Sequence, residues 1–236
     1  MNKSILQSLL SKISLGGILE KSTIVSDGKL TTSEFYSSEH SLVGSIKMVS
    51  SMETGEFPIP DLSRFSSLLS VLEESVKVNP VVHESRPVAL QVSDGRISTN
   101  VSLADKSIIE DPPRMKDLPS YDLIVNLNEE VTNSFMRSSQ VMSELERFSV
   151  KGEGKEVYFI FGESNINTNR IKIKVDYNEY NGRIKELGFS SKLVRNILSV
   201  NRDAENSTLS LIGKGLMKLS FKGNGFESEY YLTHSK

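Results

Sequence analysis

Two stretches of this chain repeat each other at long range. Leu68-Leu69-Ser70-Val71 and Ile197-Leu198-Ser199-Val200 lie 129 positions apart in a chain of 236 residues, and each closes a short amphipathic segment. The same offset carries the amphipathic stretch Lys3 to Lys12 onto Thr132 to Val141, inside another amphipathic stretch. Each half runs helix, short strands, helix, more strands. That order describes two similar domains rather than one irregular fold.

Four segments have helical periodicity. Ile5, Leu6, Leu9, Leu10 and Ile13 form one apolar stripe, with Lys3, Ser4, Ser8, Ser11 and Lys12 outside it. Asp61 is placed to cap a second helix, in which Leu62, Phe65, Leu69 and Leu72 face inward, Ser63, Ser67 and Ser70 lie opposite, and Arg64 sits at the flank. A third helix starts at Asn128, buries Val131, Phe135 and Met142, and turns Asn133, Arg137 and Gln140 outward. Ser190 or Ser191 caps the fourth. Its core residues are Leu193, Val194, Ile197 and Leu198, and its outer stripe is Lys192, Arg195, Ser199 and Arg202.

Between the helices the chain is rich in strands and tight turns. Ser26-Asp27-Gly28-Lys29 and Ser93-Asp94-Gly95-Arg96 are hairpin signals, as are the pairs Gly213/Gly215 and Gly223/Gly225. Strand-like runs cover Val88 to Val92, Val157 to Phe161, Arg170 to Val175, Thr208 to Ile212, Met217 to Phe221 and Glu227 to Leu232. Hairpins with few long helices predict an α+β class built on antiparallel sheets, not a doubly wound nucleotide fold. Asp111-Pro112-Pro113 and Leu118-Pro119 mark a linker, giving a first domain over 1–109, a connector over 110–122 and a second domain over 123–236.

An apolar share of 37% with 25% charged residues is that of a soluble globular chain, and no run approaches the roughly 18 apolar residues of a membrane span. The lack of cysteine removes disulfides and thiolate metal sites, which with the absence of a leader-like pattern predicts a cytoplasmic protein. A formal charge of −2 gives no global pull toward nucleic acid, so any such role rests on uneven placement of charge. The placement is uneven. Taken as Lys3 to Lys12, Leu62 to Leu72, Val131 to Ser143 and Phe189 to Arg202, the four helices hold no Asp or Glu. An even spread of acids would put about six there. Faces free of carboxylates suit a polyanion, with Ser, Asn and Gln between the cations to bond phosphates without reading bases. Short serine-rich helices that merely lack acids are the plain alternative.

Catalysis has little to stand on. His40, His83 and His234 are far apart, and none has a second histidine or a carboxylate at ligand spacing. Gly162-Glu163-Ser164 lacks the second glycine of a nucleophile elbow, and Gly213-Lys214-Gly215 does not continue into a phosphate-binding loop. The chain reads as a non-enzyme with no metal and no cofactor.

The pattern resembles the DNA sliding clamps, the family of proliferating cell nuclear antigen and of the processivity clamp of T-even-type phages, the phage branch being the closer. The residues that carry the resemblance are Asp61-Leu62-Ser63-Arg64-Phe65 running to Leu68-Leu69-Ser70-Val71, the helix with Met136-Arg137-Ser138-Ser139, and the closing Tyr230-Tyr231-Leu232 after a Gly-rich hairpin. The resemblance spans nearly the whole chain in order and length. It implies a duplicated two-domain fold with antiparallel sheets outside and four helices lining an inner face, closed into a homotrimeric ring in the host cytoplasm. Twelve inner helices at about 9–10 Å spacing put their axes on a ring roughly 34–38 Å across. Subtracting about 10 Å of helix thickness leaves a hole of roughly 24–28 Å, in which a duplex slides without being gripped.

On this resemblance Lys3, Lys12, Arg64, Arg137, Lys192, Arg195 and Arg202 face double-stranded DNA, held topologically and without regard to sequence. The partners it implies are a DNA polymerase and an ATP-dependent clamp loader, with no membrane. A partner peptide would enter an apolar pocket formed by Ile109, Met115, Leu118, Tyr121, Tyr230, Tyr231 and Leu232. Subunits would join through edge strands, one within Ile97 to Ala104 and one within Arg170 to Leu187, with Val101 as the place where proline should block assembly. A β-rich viral structural or assembly protein with duplicated domains is the competing reading, and a small hydrolase with a dispersed site is a third.

Overall fold

A computed structural model describes residues 2–113, 118–162 and 169–234. The chain divides into two units: Met1–Ser37 with Val43–Pro113 and Gly225–Ser228, and Ser38–Leu42 with Arg114–Asn224 and Glu229–Lys236.

In the first unit, helix α1 (Lys3–Ser14) is followed by strands β1 (Ser22–Ser26), β2 (Leu30–Tyr36), β3 (Leu42–Val49) and β4 (Gly55–Ile59), helix α2 (Leu62–Ser70), and strands β5 (Lys77–His83), β6 (Arg86–Ser93) and β7 (Ser98–Ser102). Four strands lie in the order β3-β2-β1-β4, and β5-β6-β7 form a separate three-stranded sheet; all ladders are antiparallel. Asp61 caps α2 as its spacing predicts, its carboxylate accepting from the Arg64 amide at 2.7 Å. The helices pack side by side and bury Leu6, Leu9, Leu10, Ile13, Leu62, Phe65 and Leu69. Several inward strand positions are small hydroxyls: Ser22 and Ser33 share a hydrogen bond at 2.8 Å, and Thr31 bonds Ser50. At the edge of β3, the Val49 amide donates to the Gly225 carbonyl at 2.8 Å.

The second unit repeats the plan. After β8 (Leu123–Asn126) come α3 (Glu129–Val141), β9 (Arg147–Glu153), β10 (Glu156–Phe161), β11 (Ile171–Val175), the short β12 (Glu179–Tyr180), β13 (Glu186–Ser190), α4 (Ser191–Val200), β14 (Asn206–Ile212) and β15 (Leu216–Gly223). The last strand, β16 (Phe226–Thr233), is divided between the two units. The sheet β11-β10-β9-β13 corresponds strand for strand to β3-β2-β1-β4, and β12-β8-β14-β15 carries two strands, β8 and β12, with no counterpart among the described residues of the first unit. Asn128 and Ser190 cap α3 and α4. Four phenylalanines fill the core: Phe135 meets Phe148 edge-on at 4.8 Å and Phe161 at 5.2 Å, and Phe148 meets Phe159 at 5.8 Å.

The ends of the connector fold onto their own units. In the first, Tyr36 donates to Glu110 at 2.5 Å, and Lys21 to the Ile108 carbonyl at 2.9 Å. In the second, Asp122 accepts from the Gly213 amide at 2.6 Å and from the Asn181 side chain at 2.5 Å. These bonds, the Asn181 one foremost, hold its carboxyl below the usual range.

The turn between β6 and β7 is held by Asp94, whose carboxylate accepts from the amides of Ile97 and Arg96 at 2.8 Å and of Glu73 at 2.9 Å. Those amides pull its pKa down to about 2 from 3.8. Because the folded value lies below the unfolded one, this contribution is complete above about pH 4 and is lost as pH falls toward 2. Thermal melts across that window should show Asp94→Ala flattening the acid limb; an unaltered limb would mean that the turn holds without the carboxylate.

Candidate nucleic-acid interface

The seven cations expected on one face separate into three groups. Arg64, Arg137, Lys192 and Arg202 are exposed, Arg195 and Lys3 are half-buried, and Lys12 is buried at 1% exposure. Lys12 is therefore a correction. Lys12 stands three positions after Leu9, so its side chain follows the apolar stripe of α1 into the interior, where the ammonium lies 4.2 Å from the centre of the Phe226 ring. Lys3 is occupied as well. Its ammonium donates to the Leu72 carbonyl just past α2, and its amide donates to Glu74 at 2.7 Å. The first unit thus offers Arg64 and a serine-rich surface. Even there Ser67 and Ser70 bond back to the carbonyls of Ser63 and Ser67.

The second unit concentrates the charge. On α3, Arg137 projects outward with Asn133 and Gln140, its Nε donating to the Asn133 carbonyl at 3.3 Å. On α4, Lys192, Arg195 and Arg202 recur along one stripe, while Val194, Ile197 and Leu198 are buried. The acid-free description needs one amendment. Helix α3 begins two residues earlier than Val131, so Glu129 and Glu130 form its first turn, where carboxylates stabilise the positive end of the helix dipole. A polar cleft of about 600 Å³ lies between the start of α3 and the end of α4, with Asn133, Arg202 and Asn206 alongside Glu129 and Glu205.

Several strand cations are paired: Lys151 and Lys172 meet Glu153 at 3.1 and 2.6 Å, Lys174 meets Glu156 at 2.6 Å, and Lys218 meets Glu229 at 2.6 Å. Among the described residues, Arg64, Arg137, Lys192, Arg195 and Arg202 form no ion pair. Five unpaired cations on helix faces leave a positive potential that the chain's own carboxylates do not cancel.

The expected peptide pocket fares differently. Along β16 burial alternates with period 2, so Tyr230 and Leu232 point inward at 0% and 1% exposure, and the Tyr230 hydroxyl meets the Asn201 amide nitrogen at 3.2 Å. Neither is open to a ligand. Ile109 is buried in the first unit, and Met115 lies outside the described residues. Leu118, Tyr121 and Tyr231 remain half-buried in the second unit. The Tyr231 hydroxyl donates to Glu229 at 2.8 Å, and burial, then that carboxylate, pushes the phenol above its ordinary value. Among the described residues no cluster of His, Cys, Asp or Glu is arranged to hold a metal ion.

No family model matches this sequence, and no curated protein matches it. Its fold has solved relatives. The proliferating cellular nuclear antigen of Entamoeba histolytica matches with a TM-score of 0.74 at 15% identity, covering 100% of this chain and 96% of the other. The nuclear antigen PCNA of A. fulgidus, solved with the C-terminal region of FEN-1 bound, matches with a TM-score of 0.75 at 15% identity, covering 100% and 97%. The chain has the duplicated two-domain α+β fold of the sliding clamps.

Proposed function

We propose that this chain is a sliding clamp: a homotrimeric ring that encircles duplex DNA, is opened by an ATP-dependent loader, and tethers a replicative polymerase, as the T-even-type phage clamps do. The observation that carries the reading is the stripe of Lys192, Arg195 and Arg202 on α4, free of carboxylates and, among the described residues, of ion pairs, in a chain whose fold matches that of the nuclear antigens. Phosphates suit them, because scattered Lys and Arg with Asn and Gln between them neutralise a backbone without fixing a register. Retention on DNA then depends on closure. A labelled clamp loaded on nicked circular plasmid should be shed when the plasmid is cut, and equal retention on circle and line would exclude a topological mode.

Of the edge strands among the described residues, β7 and β11 suit assembly. In the first unit β3 finds Gly225 at its edge; its counterpart β11 has no strand beyond it among the described residues, and neither has β7. Pairing β7 of one copy with β11 of the next is a head-to-tail contact, which closes a ring if the rotation per copy divides the circle.

The half-buried Leu118, Tyr121 and Tyr231 are the residues of the expected peptide pocket, among those described, still able to receive an aliphatic or aromatic anchor from a polymerase tail. The A. fulgidus neighbour has the C-terminal region of FEN-1 bound. The double change Leu118→Ala and Tyr231→Ala should remove most polymerase stimulation in primer extension and leave the trimer intact. Undiminished stimulation would place the tail elsewhere.

A further inference from the structure

The sequence holds two Asn-Gly pairs, Asn181-Gly182 and Asn224-Gly225, and all four residues apart from their turns are exposed. In such a pair the next backbone nitrogen reaches the asparagine side-chain carbon most easily, because glycine puts no Cβ beside that nitrogen and bends freely. The two sites are built differently. Asn224 and Gly225 form the whole turn between β15 and β16, and the Gly225 carbonyl accepts from the Val49 amide at 2.8 Å. Asn181 opens an irregular loop between β12 and β13, where Gly182 has a φ of 79° and a Cβ placed on it would meet nothing within 4 Å.

The Asn181 side chain is held at both ends. Its Nδ2 donates to Asp122 Oδ1 at 2.5 Å and its Oδ1 accepts from the Arg183 amide at 3.0 Å, partners that fix which end is the oxygen. The second bond is an Asx turn, which folds Cγ back over the Gly182 peptide. It also sets an N–H donor at the oxygen where negative charge grows when a nucleophile adds to Cγ. Nucleophile, electrophile and oxyanion donor thus lie within three consecutive residues.

The same side chain ties down the end of the connector. Asp122 gives one carboxylate oxygen to Asn181 and the other to the Gly213 amide at 2.6 Å, all within the second unit. An acid at position 181 would remove the donor and set a second carboxylate against the first.

We propose that Asn181 is a site of deamidation, and that its conversion to aspartate or isoaspartate releases the connector end at Asp122. The Gly182 nitrogen, its proton taken by hydroxide, bonds to Asn181 Cγ; the Cγ–Nδ2 bond breaks, and Nδ2 leaves as ammonia with its added proton drawn from water. Water then opens the cyclic imide. Cleavage at Cγ gives aspartate, and cleavage at the backbone carbonyl carbon gives isoaspartate, with the chain rerouted through the side chain. In the clamp reading the freed end carries Leu118 and Tyr121, so conversion would weaken partner binding.

The full chain, incubated at mildly alkaline pH, digested and read by mass spectrometry, should gain the mass of an amide turned acid at Asn181 before it does so at Asn224. Asn181→Gln should not gain it at that position. Conversion at Asn224 first, or none at Asn181, overturns the site. By hydrogen exchange, the Gly213 amide should lose protection about tenfold in Asn181→Asp. Adding Asp122→Asn exchanges donor and acceptor across the same bond and should restore most of it. Equal exchange at Gly213 in Asn181→Asp and the parent overturns the release of the connector. These readouts use neither DNA nor a partner, so failure here is distinguishable from failure of the clamp reading.

Discussion

Reversing Lys192 and Arg195 to glutamate should shorten the lifetime of the proposed ring on circular DNA on the order of a hundredfold, with little change in thermal stability. Three copies would lose six cations and gain six carboxylates on the proposed inner face. Each phosphate contact removed also takes roughly one unit from the slope of log affinity against log salt. Both residues lie on the outer stripe of α4, opposite Val194, Ile197 and Leu198, so the core is not disturbed. Arg64→Glu, the sole exposed change available on the helices of the first unit among the expected cations, should have a smaller effect. Polymerase stimulation on a primed circle that matches the parent protein would remove α4 from the DNA path.

Proline on the outer edge of β7 should convert the proposed trimer to monomers, and the ladder geometry says where to put it. The Leu103 amide donates to the Val88 carbonyl at 2.9 Å, and Val101 pairs with Leu90 in the same register. Amides alternate along an antiparallel strand, so residues 99, 101 and 103 point toward β6 while Asn100 and Ser102 point away. Val101, expected to lie in the subunit ladder, instead faces inward and is buried; proline there would break β6–β7 pairing and the unit with it. Ser102→Pro or Asn100→Pro removes only an outward donor. Light scattering should move from three times 26.3 kDa to 26.3 kDa. A trimer that survives both changes would place the interface on another edge.

What could be read from the sequence follows from how local each signal is. Helix starts were legible because Asp61, Asn128 and Ser190 each accept from the amide three residues on. The hairpin at Asp94 was legible for the same reason. Strands β1 and β2 were not, since buried Ser22, Ser26, Thr31 and Ser33 stand where apolar residues would have shown the alternation. The phase of β16 was equally hidden: Tyr230-Tyr231-Leu232 is apolar throughout, and only tertiary packing decides that Tyr231 faces outward. Lys12 misled because a long aliphatic stem with a charged tip reads as surface until a ring such as that of Phe226 is brought over it from the far end of the chain.

That last contact sets an order of events during synthesis. The first unit includes Gly225–Ser228, and Lys12 meets its ring partner only when Phe226 has been made. At about 5–20 residues per second, the ribosome needs roughly 6–22 s to travel from Pro113 to Gly225. Throughout that interval the nascent first half holds an ammonium in a seam still lacking its aromatic cover, and the half that emerges first cannot finish folding until the last strand is being made.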